Sequence, residues 1–233
     1  MEIAHLVPTS LIDYPGRVAS VVFTVGCNFR CPFCHNRELV LPERSRGLHL
    51  RKAEEILALL SERRTFLDGL VITGGEPTVQ PDLLGFAGEV KRFGLLVKLD
   101  TNGSRPKVLE ELLRAGLVDY VAMDVKSPLS RYPEFVGGAA DSGAIGRSID
   151  VVRKRAPDYE FRTTAAPGLG LDDLRAIADL LSGARRWFLQ PFVVPDKKGL
   201  VDPTWAGRPA LSAGALREAW GELGTSFSDG GVR

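Results

Sequence analysis

Residues that bind soft metals are scarce in this chain: 233 positions carry three cysteines, three histidines and two methionines. All three cysteines fall within residues 27–34. An odd number so confined cannot staple a fold, and in a reducing compartment it reads as metal-binding or catalytic. Charge of one sign is also lacking, since 30 basic residues face 29 acidic ones. A nucleic-acid binder shows a basic excess or stripe; here the scattered Arg and Lys between Arg44 and Arg64 read as a solvated helix face. No apolar run approaches the roughly 18 residues of a membrane span. The N-terminus has no basic segment followed by an apolar one, so no secretory signal is expected and the chain is assigned to the cytoplasm. The sequon at Asn102-Gly103-Ser104 then carries no glycan. Internal repeats and low-complexity tracts are absent as well. What is present is ordinary for a soluble protein: 44% hydrophobic and 25% charged residues, enough for a sizeable core without disulfides.

Apolar, β-branched runs alternate with amphipathic segments almost to the end. The pattern predicts strands at 18–25, 69–73, 95–99, 120–123, 159–163 and 187–190. It predicts helices at 51–64, 82–93, 106–115, 142–154, 172–181 and 212–223. Continuously apolar strands suit a parallel sheet covered by helices. Pro106 suits a first helical turn, Asp172 a helix N-cap, and Gly116 a C-terminal stop. The expected fold is therefore a single α/β domain over 1–233, with a core at about 17–192 and a C-terminal helix and tail over 193–233. It is either an open doubly wound sheet or an incomplete barrel, because the full eight-stranded barrel takes about 250 residues. The loops before Arg51 and after Pro191 are long enough to suggest function or partner contact. Residues 225–233, small and polar, are expected to fray.

The chemistry concentrates where the thiols are, in Gly26-Cys27-Asn28-Phe29-Arg30-Cys31-Pro32-Phe33-Cys34-His35-Asn36. A structural zinc would need four ligands, with His35 as the fourth, although such ligands usually come from two segments. A four-iron cluster usually takes four cysteines; three leave one iron open to a ligand that is not protein. Further motifs sit at predicted strand ends. Thr73-Gly74-Gly75-Glu76-Pro77 pairs two glycines, which permit close backbone approach to a ligand, with Glu76 as an acceptor for an amine. Asp100-Thr101-Asn102-Gly103 and Met123-Asp124-Val125-Lys126 end the next two strands. Buried carboxylates need partners, and Lys126 can supply one. Arg162 lies in the fifth strand, facing either the site or the surface, and Gln190 ends the sixth. Active sites of parallel α/β folds form outside the carboxyl ends of the strands, where these residues collect.

Cys27, Cys31, Phe33 and Cys34 match C-x3-C-x-aromatic-C, and with these motifs the chain resembles the radical S-adenosylmethionine superfamily. The resemblance implies a 4Fe-4S cluster on Cys27, Cys31 and Cys34, whose open iron chelates the amino and carboxylate groups of S-adenosylmethionine. An electron from the cluster then breaks the sulfonium S–C5′ bond, leaving methionine and a 5′-deoxyadenosyl radical. It further implies that Phe33 packs near the adenine, and that Gly74, Gly75 and Glu76 serve the methionine amine. Lys126 would take the methionine carboxylate, and Arg162 the carboxylate or ribose. Asn102 would belong to the same cosubstrate-binding run, and Gln190 would contact the ribose. In relatives that activate glycyl radical enzymes, the positions of Asp100, Thr101 and Asp124 also hold a monovalent cation. Some of those relatives place a histidine near the sixth strand end, whereas this chain has none after His49.

Thr9-Ser10-Leu11-Ile12-Asp13-Tyr14-Pro15-Gly16, leading into the cysteine segment, narrows the likeness to anaerobic ribonucleoside-triphosphate reductase activating proteins, over about residues 3–192. That likeness implies a partial (β/α)6 barrel of parallel strands, open on one side to a protein loop. It also implies abstraction of hydrogen from a glycine of a partner reductase, with electrons from a flavodoxin- or ferredoxin-type donor. No nucleic acid or membrane is involved. The alternatives are a small-molecule radical enzyme such as 7-carboxy-7-deazaguanine synthase, or a non-catalytic zinc or electron-carrier module.

Overall fold

A computed structural model of the chain describes residues 1–194 and 199–233. In chain order it forms β1 Ile3–Ser10, β2 Ala19–Thr24, α1 Arg37–Val40, α2 Pro42–Ser45, α3 Ala53–Arg63, β3 Gly69–Gly74, α4 Leu83–Arg92, β4 Leu96–Thr101, α5 Pro106–Arg114 and β5 Tyr120–Asp124. Then follow α6 Tyr132–Val136, α7 Ser142–Arg155, β6 Asp158–Ala165, α8 Leu171–Leu180, β7 Arg186–Pro191, α9 Ala213–Leu223 and β8 Asp229–Val232. All eight strands share one sheet in the order β1-β2-β3-β4-β5-β6-β7-β8. Every neighbouring pair is parallel except β1 with β2.

That order decides between the two architectures left open by the sequence. A doubly wound sheet reverses its strand order at a switch point; here the strands advance in one direction throughout, as a barrel winds. Among the described residues no pairing joins β8 back to β1, so the barrel is partial. Six predicted strands and six predicted helices appear within a few residues of their expected ends. Pro106 opens α5, and Gly116 follows it in the left-handed conformation with φ 66°. Leu109, Leu112 and Leu113 repeat at helical spacing and are buried.

Three expectations are corrected. β1 was not foreseen, because Thr, Ser and His interrupt its apolar residues; only Ile3, Leu6 and Ser10 are buried. The stretch expected to fray instead forms β8, parallel to β7, with Arg186 opposite Asp229 and Leu189 opposite Val232. Its glycines carry no strand propensity; the anchor is tertiary. Phe227 packs on Trp187 and Trp220, and the Arg233 guanidinium lies 3.4 Å from the centre of the Phe188 ring and pairs with buried Glu160. The cap of α8 is Gly170, not Asp172: the Asp173 carboxylate accepts from the Gly170 N–H at 2.9 Å. The long loop before Arg51 contains α1 and α2, while residues 195–198 of the loop after Pro191 lie outside the described part. Among the described residues no helix is long and apolar enough to cross a membrane.

Strand parity positions the site. Side chains two apart share a face, and register places Asp100 beside Ala122, Asp124 beside Arg162 and Thr164 beside Gln190. On that face Tyr14, Val21, Val71, Tyr120 and Ala122 form an apolar cluster toward the amino-terminal ends of β2 to β5, beside buried Lys98 and Glu160. Toward the carboxyl ends the same face turns polar.

Candidate active site

The thiol loop leaves the end of β2 and is tied down by backbone bonds from distant elements. The Gly26 N–H donates to Leu39 O at 2.8 Å and the Arg30 N–H to Val136 O at 2.8 Å. The Arg30 guanidinium turns back to the carbonyls of Cys27 and Phe29, and the Cys34 N–H closes a turn on Cys31 O at 3.0 Å. Cys31 is buried and the other two thiols are half-buried. Burial, with the Glu76 charge next, pushes the Cys27 thiol up to about 11; burial pushes Cys31 up to about 12 and raises Cys34. Lys126 offsets only part of this. A coordinated metal would supply the positive charge that these thiols need in order to ionise.

Among the described residues, no group of three His, Cys, Asp or Glu side chains converges as it would around one ion. A cubane places each cysteine on a different iron, whereas a zinc site gathers its four ligands around one ion. The Phe29 N–H and the Asn102 amide donate to Cys27 Sγ at 3.3 and 3.8 Å, the kind of hydrogen bond that tunes a cluster.

Gly74 and Gly75 also serve a packing purpose that the sequence did not show. A Cβ on Gly74 would lie 2.4 Å from the Thr24 nitrogen, and one on Gly75 only 2.0 Å from Gly26 O. What the missing side chains admit is the backbone leaving β2; both glycines also line the cavity described below. The Gly75 N–H donates to Thr24 O and the Glu76 N–H to Gly26 O, both at 2.8 Å. The glutamate loop and the thiol loop are thereby locked together.

Glu76 is 1% exposed. Its Oε1 accepts from the Thr78 N–H and hydroxyl and from Thr101 Oγ1 at 2.7 Å, and its Oε2 from the Asn102 N–H at 2.6 Å. All four donors are neutral, and burial still raises the carboxyl above the usual range. Such a group gains from a nearby cation.

Across the concave face, acidic and basic side chains alternate. Lys98 pairs with Asp100, and Arg162 bonds Asp100 at 3.3 Å and Asp124 at 2.9 Å. Lys126 completes the row on Asp124 at 2.9 Å. Burial opposes ionisation of both aspartates, yet Arg162 with Lys98 or Lys126 holds them below the ordinary aspartate range. Arg162 therefore faces the site, not the surface. Lys98 was missed in the sequence, although it shares parity with Asp100.

Every residue singled out from the sequence lines one cavity of about 400 Å³: the thiols and Phe33, Gly74 to Glu76, Asp100 to Asn102, Asp124, Lys126, Arg162 and Gln190. Thr164 and Phe192 also line it and were not foreseen; parity with Arg162 would have found the first.

A family profile described as the radical SAM superfamily matches residues 21–181. The chain belongs to that superfamily. A Methanocaldococcus jannaschii protein whose name, itself an inference, is glycyl-radical enzyme activating enzyme is 35% identical, over 97% of this chain and 93% of its own length. A pyruvate formate-lyase-activating enzyme of Clostridium pasteurianum is 33% identical over 50% of the chain. Similarity to a 7-carboxy-7-deazaguanine synthase of Hyperthermus butylicus extends over only 40% of it. The crystal structure of Streptococcus suis SuiB bound to precursor peptide SuiA superposes with a TM-score of 0.66 at 13% identity, covering 91% of this chain and 48% of that one. This last likeness concerns the fold alone. As a radical SAM enzyme, the chain is implied to use a 4Fe-4S cluster and S-adenosylmethionine, which the soft thiol set, the buried Glu76 carboxylate and the cavity between them fit.

Proposed function

We propose that this radical SAM enzyme generates a glycyl radical on a partner enzyme, and we name an anaerobic ribonucleoside-triphosphate reductase as that partner. The observation that carries the first statement is the similarity, along nearly the whole chain, to a protein named as a glycyl-radical enzyme activating enzyme. The reading is supported by the unclosed sheet, in which no pairing joins β8 to β1 among the described residues, since a loop of another protein needs a barrel that is not closed. The reductase rests on the resemblance of residues 9–36 alone.

In this reading Cys27, Cys31 and Cys34 hold the cluster, which when bound supplies the electron that cleaves the S–C5′ bond. Glu76 accepts from the methionine amine and is held in place by Thr78, Thr101 and Asn102. Lys126 turns toward the methionine carboxylate, and Arg162 and Gln190 take the ribose side. Phe33 covers the adenine. A monovalent cation beside Asp100, Thr101 and Asp124 would share both carboxylates with Arg162. A flavodoxin- or ferredoxin-type protein in the cytoplasm supplies the electrons. The partner's glycine reaches C5′ because it has no side chain to clash, and correct placement supplies much of the rate.

The test mixes reduced enzyme, S-adenosylmethionine and the reductase encoded in the same genome, and records electron paramagnetic resonance spectra. A glycyl doublet is expected, with 5′-deoxyadenosine and methionine formed alongside. Abundant 5′-deoxyadenosine with no doublet would refute the partner while leaving the radical chemistry standing.

A further inference from the structure

The segment beyond the sixth parallel strand has no part in the reading above, yet it lies against the thiol loop. The Val201 N–H donates to Cys34 O at 2.9 Å and the Asp202 N–H to Pro32 O at 3.0 Å, so residues about 168 positions apart are laid side by side. Leu200 is 1% exposed. The Asp202 carboxylate then caps a short turn, accepting from the Thr204 N–H at 2.9 Å, and that turn delivers Trp205. The indole is 8% exposed. Its ring lies 6.0 Å from that of Phe33, which sits between Cys31 and Cys34, and 6.2 Å from that of Phe135, edge on. Arg208 covers it at 4.7 Å. A large apolar side chain is thus held from several sides behind the aromatic residue of the cysteine motif.

We infer that Leu200–Trp205 forms the outer wall of the cluster site and that Trp205 is a positioning residue acting through Phe33. Phe33 is flanked by two of the three thiols and lines the cavity; with Trp205 behind it, the ring cannot swing outward. Two consequences follow. The Cys31–Cys34 turn keeps the shape that presents both sulfurs, and water and dioxygen are kept from the irons. The apolar shell around a metal site controls solvent access and local dielectric, and hence potential. Solvent stabilises the more negatively charged reduced cluster, so exposing it raises the potential and weakens the electron needed for cleavage. Phe33 also depends on Trp205 for its place in the cavity wall.

This role presupposes a cluster on Cys27, Cys31 and Cys34, and the experiment separates the two. Wild-type, Trp205→Ala and Trp205→Phe proteins are reconstituted without oxygen and their iron counted. Their visible absorption is then followed in air, and their potentials are measured by redox titration with paramagnetic resonance detection. Trp205→Ala is expected to take up as much iron as wild type, to bleach about three- to tenfold faster, and to titrate at a more positive potential. Trp205→Phe is expected to stay within about twofold of wild type, because an aromatic ring still backs Phe33. Equal bleaching and equal potential in all three would overturn the inference and leave the cluster intact. Should Trp205→Ala fail to take up iron, Trp205→Leu, which keeps apolar bulk, carries the same comparison. Absence of iron from the wild-type protein would instead overturn the cluster reading.

Discussion

Replacing Gly75 with alanine tests whether the two loops of the site are locked by backbone contact. The added Cβ would lie 2.0 Å from the carbonyl oxygen of Gly26 and 2.7 Å from its carbon. Carbon and carbonyl oxygen ordinarily stay about 3.3 Å apart, so the strands must separate by roughly 1 Å. Neither neighbour is the flexible end of a side chain. The Gly75 N–H bond to Thr24 O and the Glu76 N–H bond to Gly26 O lie on either side of the contact, each at 2.8 Å. Losing one or both costs about 1 kcal/mol apiece, and overpacking about 1–3 kcal/mol more. The expected loss is about 2–5 kcal/mol, a large part of a typical total stability of about 5–15 kcal/mol. Denaturant unfolding of the metal-free, reduced protein would show it as a lower midpoint at unchanged slope. Gly85→Ala is the control. It sits exposed on α4 with nothing within 4 Å of a new Cβ, so it should gain about 0.5–1 kcal/mol from helix propensity. A Gly75→Ala protein within about 0.5 kcal/mol of wild type, with unchanged iron uptake, would refute the reasoning.

Cys27→Ser, Cys31→Ser and Cys34→Ser should each lose the cluster on anaerobic reconstitution, while His35→Ala keeps about four irons by chemical assay; zinc in place of iron would contradict this. Glu76→Ala should retain iron but bind S-adenosylmethionine at least about tenfold more weakly by calorimetry, since a buried charged hydrogen bond is worth about 1.5–3 kcal/mol. Arg162→Gln leaves Asp100 and Asp124 with one cation each. It should cost about 2–3 kcal/mol of stability, below the roughly 3–5 kcal/mol of a fully buried broken pair because the Asp124 side chain keeps 29% of its exposure. Its pH dependence has a definite sign. Both aspartates have lowered folded-state values, so their contribution is present above the unfolded value near 4 and is lost as pH falls through the lowered one. Without Arg162 the lowering shrinks, and acid unfolding should begin at a higher pH than in wild type.

Much of this protein was legible in one dimension because its signals are local. Strands 18–25 and 120–123 announced themselves by largely apolar runs, and helix 106–115 by leucines at helical spacing between Pro106 and Gly116. Cys27, Cys31, Phe33 and Cys34 could be singled out by spacing, because a short loop can gather three thiols without help from elsewhere, and their pattern resembles that of the superfamily to which the chain belongs. The aspartates at the ends of the third and fourth predicted strands were readable because carboxylates there need a partner or a ligand. Contacts between distant segments were not readable. β8 looked like a loose tail, since two glycines favour no strand; it exists because Phe227 and Arg233 find Trp187, Trp220, Phe188 and Glu160 already in place. Nor did Gly74 and Gly75 show that the backbone they admit is that of Thr24 and Gly26, about 50 residues earlier. Lys98 and Trp205 gave no local sign at all. Period and spacing are properties of neighbours in the chain, so the sequence alone determined the strand–helix alternation and the grouping of the three thiols on one loop. Which charge meets which, and what stands behind Phe33, depend on how the strands wind into an open barrel, and only the tertiary structure decided them.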